Sequence, residues 1–146
     1  MNISSIQKAY LAGFLDGDGS IYVRAKPNTT YRFGYQIAPS IVLFQSSKNQ
    51  EFLESIHKMI NLGYIRERKD GILELTINKI DEIMCFVKMV KPFTKFKKRQ
   101  INLLEKIVSA KEAVKTKEDF AKLLKLVHVF SEINYSKKRK VRILTP

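Results

Sequence analysis

The chain has 146 residues, 45% hydrophobic, with a formal net charge of +13, one cysteine and two histidines. Length and apolar share suit a single domain, 1–146, and exclude a disordered chain, while Cys85, His57 and His128 are too few for a structural zinc site and Cys85 alone forms no intrachain disulfide. No apolar run approaches the ~20 residues of a membrane span, so a surplus of basic charge this large calls for an acidic polymer, nucleic acid before a membrane surface.

The first helix begins near Ser4 or Ser5, either of which can cap it. Ala9, Gly13 and Gly17 recur every four residues and share one stripe of it. Glycine inside a helix costs about 1 kcal/mol against alanine. A helix that holds two gains close backbone approach by another helix. Asp18 follows at the helix end, between Gly17 and Gly19. A carboxylate there meets the negative end of the helix dipole. A hard cation relieves that, taking the carboxylate and a backbone carbonyl as ligands.

Ser20–Lys26 alternates as a half-buried strand, with Tyr22, Arg24 and Lys26 on the polar side. Pro27–Thr30 reads as a turn, and a second strand is expected from Tyr31 to about Gln45, with Ala38-Pro39 marking an edge, bulge or bend. Ser47 with Gln50 opens a second helix as a capping box, and Gly63 closes it. Tyr64–Lys69 and Ile72–Asn78 are strands joined at Asp70-Gly71 by a two-residue turn. A third helix starts at Ile80 and stops before Pro92. Helices are then expected from Thr94 to about Val114 and from a Thr116/Asp119 cap onward, with a basic tail over about 135–146. His57 and His128 fall on helices and read as structural or surface residues, not ligands. The fold class is α+β, an α-ββα-ββα core with C-terminal helices; strand–strand–helix occurs twice, the acidic motif once.

Four strands with one polar face imply a sheet covered by helices on one side. The polar face holds Tyr22, Arg24, Lys26, Gln36, Arg66, Arg68, Glu74 and Thr76, with Asn28 and Thr30 in the first turn. Arginine pairs with guanine, glutamine with adenine, and glutamate accepts from cytosine, so this face suits DNA readout in the major groove. Lys95–Arg99 and the tail, Lys137 and Lys140 included, suit phosphates.

The stretch Leu11-Ala12-Gly13-Phe14-Leu15-Asp16-Gly17-Asp18-Gly19 closely resembles the signature of the LAGLIDADG homing endonucleases. Leu11, Ala12, Gly13, Asp16, Asp18 and Gly19 match it letter for letter; Phe14 and Leu15 are apolar replacements, and Gly17 stands at a small position. The resemblance implies an antiparallel, four-stranded, saddle-shaped sheet on double-stranded DNA. With one motif, it implies a homodimer joined through the motif helices, at Ala9, Leu11, Ala12, Gly13, Asp16 and Gly17. The implied activity is site-specific double-strand cleavage of a long pseudo-palindromic target by metal-assisted phosphodiester hydrolysis. Asp18 would be the direct metal ligand and the Gly17 carbonyl a second. Gln45 would orient the attacking water, and Lys97, with Lys98 a near competitor, would support the transition-state charge. Asp16 is expected to be structural, at the helix–helix interface or as a cap on the partner. Mg2+ is the implied cofactor, with Mn2+ substituting and Ca2+ binding without supporting cleavage. One departure is Asn49, beside Lys48, where close single-motif relatives carry a second basic residue.

Neither a small-molecule substrate nor a membrane is expected. The alternatives are an RNA-binding intron maturase on the same fold and a DNA-binding regulator with a dead site; intact Asp18, Gln45 and Lys97 favour the endonuclease. No signal-peptide pattern opens the chain. An intracellular protein is therefore expected, and a composition rich in Lys, Ile and Asn suits a gene carried in a chloroplast or mitochondrion.

Overall fold

In the computed structural model, which describes the backbone of residues 2–143 and side chains through residue 134, Ser4 opens the first helix with a capping box. Its hydroxyl accepts from Gln7 N–H at 3.1 Å, and Gln7 Oε1 accepts from Ser4 N–H at 2.9 Å. The elements are α1 Ser5–Asp18, β1 Gly19–Pro27, β2 Tyr35–Ser46, a 3₁₀ turn Ser47–Asn49, α2 Gln50–Ile60, β3 Tyr64–Glu67, β4 Ile72–Ile77, α3 Ile80–Val90, α4 Lys98–Ala113 and α5 Lys117–Ile143. This is the α-ββα-ββα order followed by two helices. The strands form one antiparallel sheet of order β1-β2-β4-β3.

Packing divides the chain into two compact units, one built from the residues up to Ile21 with Ser40–Ile101, the other from Tyr22–Pro39 with the chain from Asn102 on. In the first, Leu11, Ala12 and Leu15 of α1, Leu53 and Ile56 of α2, and Ile83, Phe86 and Val87 of α3 are buried, together with Leu43 of β2 and Leu73, Leu75 and Ile77 of β4. Burial along β4 alternates strictly, as a sheet with one covered face requires. In the second unit Leu104, Ile107 and Val108 of α4 and Phe120, Leu123, Val127 and Phe130 of α5 are buried at helical spacing. The Phe33 ring stacks on Phe120 at 5.0 Å between centroids, with Tyr35 at 6.4 Å on the same ring.

Several boundaries differ from expectation. The second strand begins at Tyr35, not Tyr31, because residues 28–34 fold into their own loop. There Asn28 N–H donates to the Gly34 carbonyl at 2.8 Å, and Asn28 Oδ1 accepts from Thr30 N–H at 3.0 Å. Such an Asx turn competes with strand pairing. β2 is an inner strand, yet its pairing with β4 starts only at Ile41, so Pro39 sits where no β4 N–H partner is required. Ser46, not Ser47, caps the turn before α2, accepting from Lys48 N–H at 3.2 Å. α2 ends at Asn61, in the left-handed region with φ 52°, ahead of Gly63. The β3–β4 loop holds residues 69–71, not two: Arg68 N–H donates to the Ile72 carbonyl and Gly71 N–H to the Arg68 carbonyl, a turn closed by a bulge with Gly71 at φ 81°. α4 begins at Lys98, not Thr94, for a reason given below. The Thr116/Asp119 cap is present, Asp119 N–H donating to Thr116 Oγ1 at 3.1 Å and Thr116 N–H to Asp119 Oδ2 at 3.1 Å. The stretch expected as a tail continues α5 to Ile143.

The two histidines differ in their contacts, His57 half-buried and His128 on the surface. His57 Nε2 donates to the Gly63 carbonyl at 3.0 Å, and His128 lies beside Glu132 on the exposed side of α5.

Candidate active site

Asp18 is the last residue of α1, and Gly19 N–H closes the helix on the Leu15 carbonyl. The helix therefore delivers an exposed carboxylate to the point where β1 leaves. Gln45 sits near the end of β2, opposite Leu73 of β4. The two side chains line one open cleft of about 370 Å³, with Tyr10, Gly13, Phe14 and Phe52. Phe52 of α2 holds its wall, 5.5 Å from the Phe14 ring and 6.4 Å edge-on from Tyr10. The sequence reading missed this aromatic wall, although Tyr10 and Phe14 are four residues apart on the motif helix.

The available donors are oxygens: the Asp18 carboxylate and the backbone carbonyls at the end of α1. That set fits a hard divalent cation. Among the described residues no three His, Cys, Asp or Glu side chains gather where a metal could be held.

Gln45 is held from behind. Its Oε1 accepts from Ser46 N–H at 3.0 Å and from Asn49 Nδ2 at 3.0 Å. Lys97 is only 7% exposed, its ammonium 5.2 Å from the Phe96 ring centroid. The described lining of the cleft includes Asp18 and Gln45 but not Lys97. Lys98 is exposed at the first position of α4.

Asp16 faces a different task from its neighbour two residues on. Its carboxylate accepts from the Thr94 hydroxyl, from Lys95 N–H at 2.8 Å and from Phe96 N–H at 3.1 Å. Burial pushes its carboxyl up, but these hydrogen bonds outweigh burial and hold it below the ordinary aspartate value. The bonds keep residues 94–96 out of the helix, which explains the later start of α4. Asp16 thus caps a turn of its own chain, where a place at the interface or on the partner was expected.

The residues expected at the dimer interface fall into two sets by exposure. Ala9, Gly13 and Gly17 are exposed, and a Cβ on Gly13 or Gly17 would meet nothing within 4 Å. Leu11 and Ala12, by contrast, are completely buried in their own subunit. Leu11 points away from the stripe, two positions or about 200° around the helix from Ala9, while Ala12, about 60° from Ala9, lies at its edge.

The polar sheet face is present in each unit. In the first, Arg66 Nη2 pairs with Glu74 Oε1 across β3 and β4 at 2.6 Å, and Arg68 Nη2 with Asp70 Oδ2 at 2.7 Å. Thr76 is half-buried opposite Tyr64, which is 48% exposed. Val42 and Phe44 of β2 stand opposite Thr76 and Glu74; Val42 is buried and Phe44 half-buried. In the second unit the Arg24 guanidinium lies 4.9 Å from the Tyr22 ring centroid. Lys26 is exposed and Gln36 half-buried. Asn28 Oδ1 accepts from Thr30 Oγ1 at 2.7 Å, which commits part of both side chains to the loop. The side chains of Lys137 and Lys140 lie outside the described residues.

Comparison with known proteins places this geometry. A family model described as LAGLIDADG endonuclease matches residues 11–108. The DNA endonuclease I-CreI of Chlamydomonas reinhardtii is 34% identical over 132 residues, covering 90% of this chain and 80% of that protein. The DNA endonuclease I-CvuI of Chlorella vulgaris is 30% identical over 100 residues, 68% of this chain and 62% of the relative. The crystal structure of I-CvuI with its target in 2 mM Ca matches with a TM-score of 0.81 at 25% identity, over 87% of this chain and 81% of that one. The homing endonuclease I-TnaI matches at a TM-score of 0.77 and 26% identity, over 97% and 98%. With the motif at α1, the strand order and most of its length in common with these proteins, the chain belongs to the LAGLIDADG endonuclease family.

Proposed function

We infer that this protein is a site-specific double-strand DNA endonuclease that works as a homodimer and hydrolyses phosphodiester bonds with a divalent metal ion. The observation that carries this is Asp18, exposed at the end of the motif helix and the one carboxylate among the described residues lining its cleft, which it shares with Gln45 of β2. One such aspartate per chain serves one strand, so cutting both requires two chains and a target of approximate two-fold symmetry.

Asp18 and the Gly17 carbonyl would hold the ion, Mg2+ or in its place Mn2+, with Ca2+ binding without cleavage. When bound, the ion supplies a more acidic water and neutralises charge at the leaving oxygen. Gln45 orients the attacking water through its carboxamide. Lys97, drawn in against Phe96, supplies positive charge toward the scissile phosphate. Arg24 on Tyr22 in one unit, and Arg66 and Arg68 in the other, read base edges in the major groove. For each arginine a present partner, the Tyr22 ring, Glu74 or Asp70, pre-sets its direction. I-CvuI has been crystallised both with its own target in Ca and with the I-CreI target in Mg, where the DNA was not cleaved.

The test is selection from randomised duplexes with magnesium, followed by sequencing of the ends. Discrete double-strand cuts at one family of sites are expected. Asp18→Asn should lower cleavage by at least about 10²-fold, the scale on which one lost transition-state contact is felt, with affinity for the selected duplex nearly unchanged. Full cleavage by Asp18→Asn would overturn the assignment.

A further inference from the structure

Asn49 stands at the N-cap of α2, with φ −110° and ψ 33°, and its side chain makes no capping hydrogen bond. Asparagine is favoured at that position because its side-chain oxygen takes an orphan N–H of the first turn. Here the side chain turns back instead and donates from Nδ2 to Gln45 Oε1 at 3.0 Å. The same oxygen accepts Ser46 N–H at 3.0 Å. The intervening 3₁₀ turn, capped by Ser46 on Lys48 N–H, is what returns the chain to Gln45. Residues 45–49 thus form a closed clamp.

A carboxamide oxygen has two lone pairs, and both are engaged by N–H donors. That sets the flip of the amide: the acceptor end is turned into the clamp, which leaves Nε2 as the end of a side chain that lines the same cleft as Asp18. A glutamine without the clamp could rotate about its side-chain torsions and offer either end.

We propose that Asn49 is a positioning residue of the endonuclease: it locks the Gln45 carboxamide so that Nε2 serves as a fixed hydrogen-bond donor beside Asp18. The proposal rests on Gln45 belonging to the active site, as inferred above. Asn49 gives up its capping role to do this, and its exposed place at a helix start leaves the core untouched when it is changed.

Single-turnover cleavage of the selected duplex by saturating full-length protein in magnesium is the readout, with affinity measured in calcium and stability by thermal melting. Asn49→Ala should slow cleavage on the order of tenfold, since a small misplacement of a catalytic group has at least that effect, with affinity held within about twofold. Asn49→Asp removes the donor but suits a helix N-terminus better, so its melting temperature should hold or rise while its saturated cleavage rate falls as for Asn49→Ala. Gln45→Ala should be slower still, and Gln45→Ala/Asn49→Ala no slower than Gln45→Ala alone, because two groups acting as one are not additive. Wild-type rates for both Asn49 variants would overturn the proposal. So would an Asn49→Ala effect that persists undiminished when Gln45 is already alanine. If Gln45→Ala itself cleaves at the wild-type rate, the placing of Gln45 in the active site fails, and the proposal fails with it by a different signature.

Discussion

Within the motif, two aspartates two residues apart have separate fates because a helix turns about 100° per residue. Asp18 leaves the helix end into a cleft; Asp16 reaches back to Thr94, Lys95 and Phe96. The Asp16 carboxyl is held below its usual value of 3.8. A group with a depressed folded-state pKa adds stability above its unfolded value, and that stability is lost as pH falls through the folded value. Asp16→Asn keeps the shape but puts a poorer acceptor, with one end a donor, against three donors. It should lower stability by about 1–3 kcal/mol at neutral pH. Urea unfolding should show the gap between variant and wild type shrinking below about pH 4; a gap independent of pH would mean the charge is not what those donors bind. A structural role for Asp16 was legible from its place in the last turn of the helix. Its partner was not, since Thr94 lies 78 residues away and nothing local marks the pairing.

Elements were legible where local chemistry decided them. The period of α2 and α3, the Thr116/Asp119 cap and the alternation of β1 and β4 are short-range signals. The start of α4 was not legible, because Asp16 sets it from another part of the fold; the loop at 28–34 is local, but its Asn28–Gly34 hydrogen bond carries it past the turn expected at Pro27–Thr30. Gly63, just before β3, and Gly71, in the β3–β4 loop, separate backbone strain from steric contact. Gly71 has φ 81° and open surroundings, the nearest atom to a Cβ being Ser47 Oγ at 3.6 Å. Gly63 has φ 74°, and a Cβ would lie 2.3 Å from the Thr76 carbonyl oxygen. Gly71→Ala should therefore cost only the left-handed backbone term, about 1–2 kcal/mol. Gly63→Ala adds overpacking against backbone that belongs to a paired strand, for about 2–4 kcal/mol in all. Chemical denaturation of both variants checks the order; equal losses would mean the strand shifts freely at Thr76.

At the scale of the whole molecule, charge and symmetry govern the interaction with DNA. A net charge of +13 makes binding a counterion-release process, so affinity should fall by about 10³-fold or more between about 50 and 200 mM salt if six or more phosphates are contacted. A shallow slope would place the basic residues away from the backbone. The dimer makes a sharper demand. α1 exposes Ile6 at 83% and Tyr10 at 55% beside Ala9, Gly13 and Gly17, and a side chain at Gly13 would meet nothing in its own subunit. For an isolated subunit, leucine at that position is better than glycine by roughly 0.5–1 kcal/mol of helix propensity. For a pair of helices meeting at the stripe, the same leucine is a wedge between backbones that only glycine lets approach. Gly13→Leu should accordingly sediment as a monomer and lose double-strand cleavage, while the monomer's far-ultraviolet helicity holds or rises. The two effects have opposite signs, so general misfolding cannot imitate them. A variant that keeps its dimer at unchanged strength would show that the exposed stripe is not where the subunits meet.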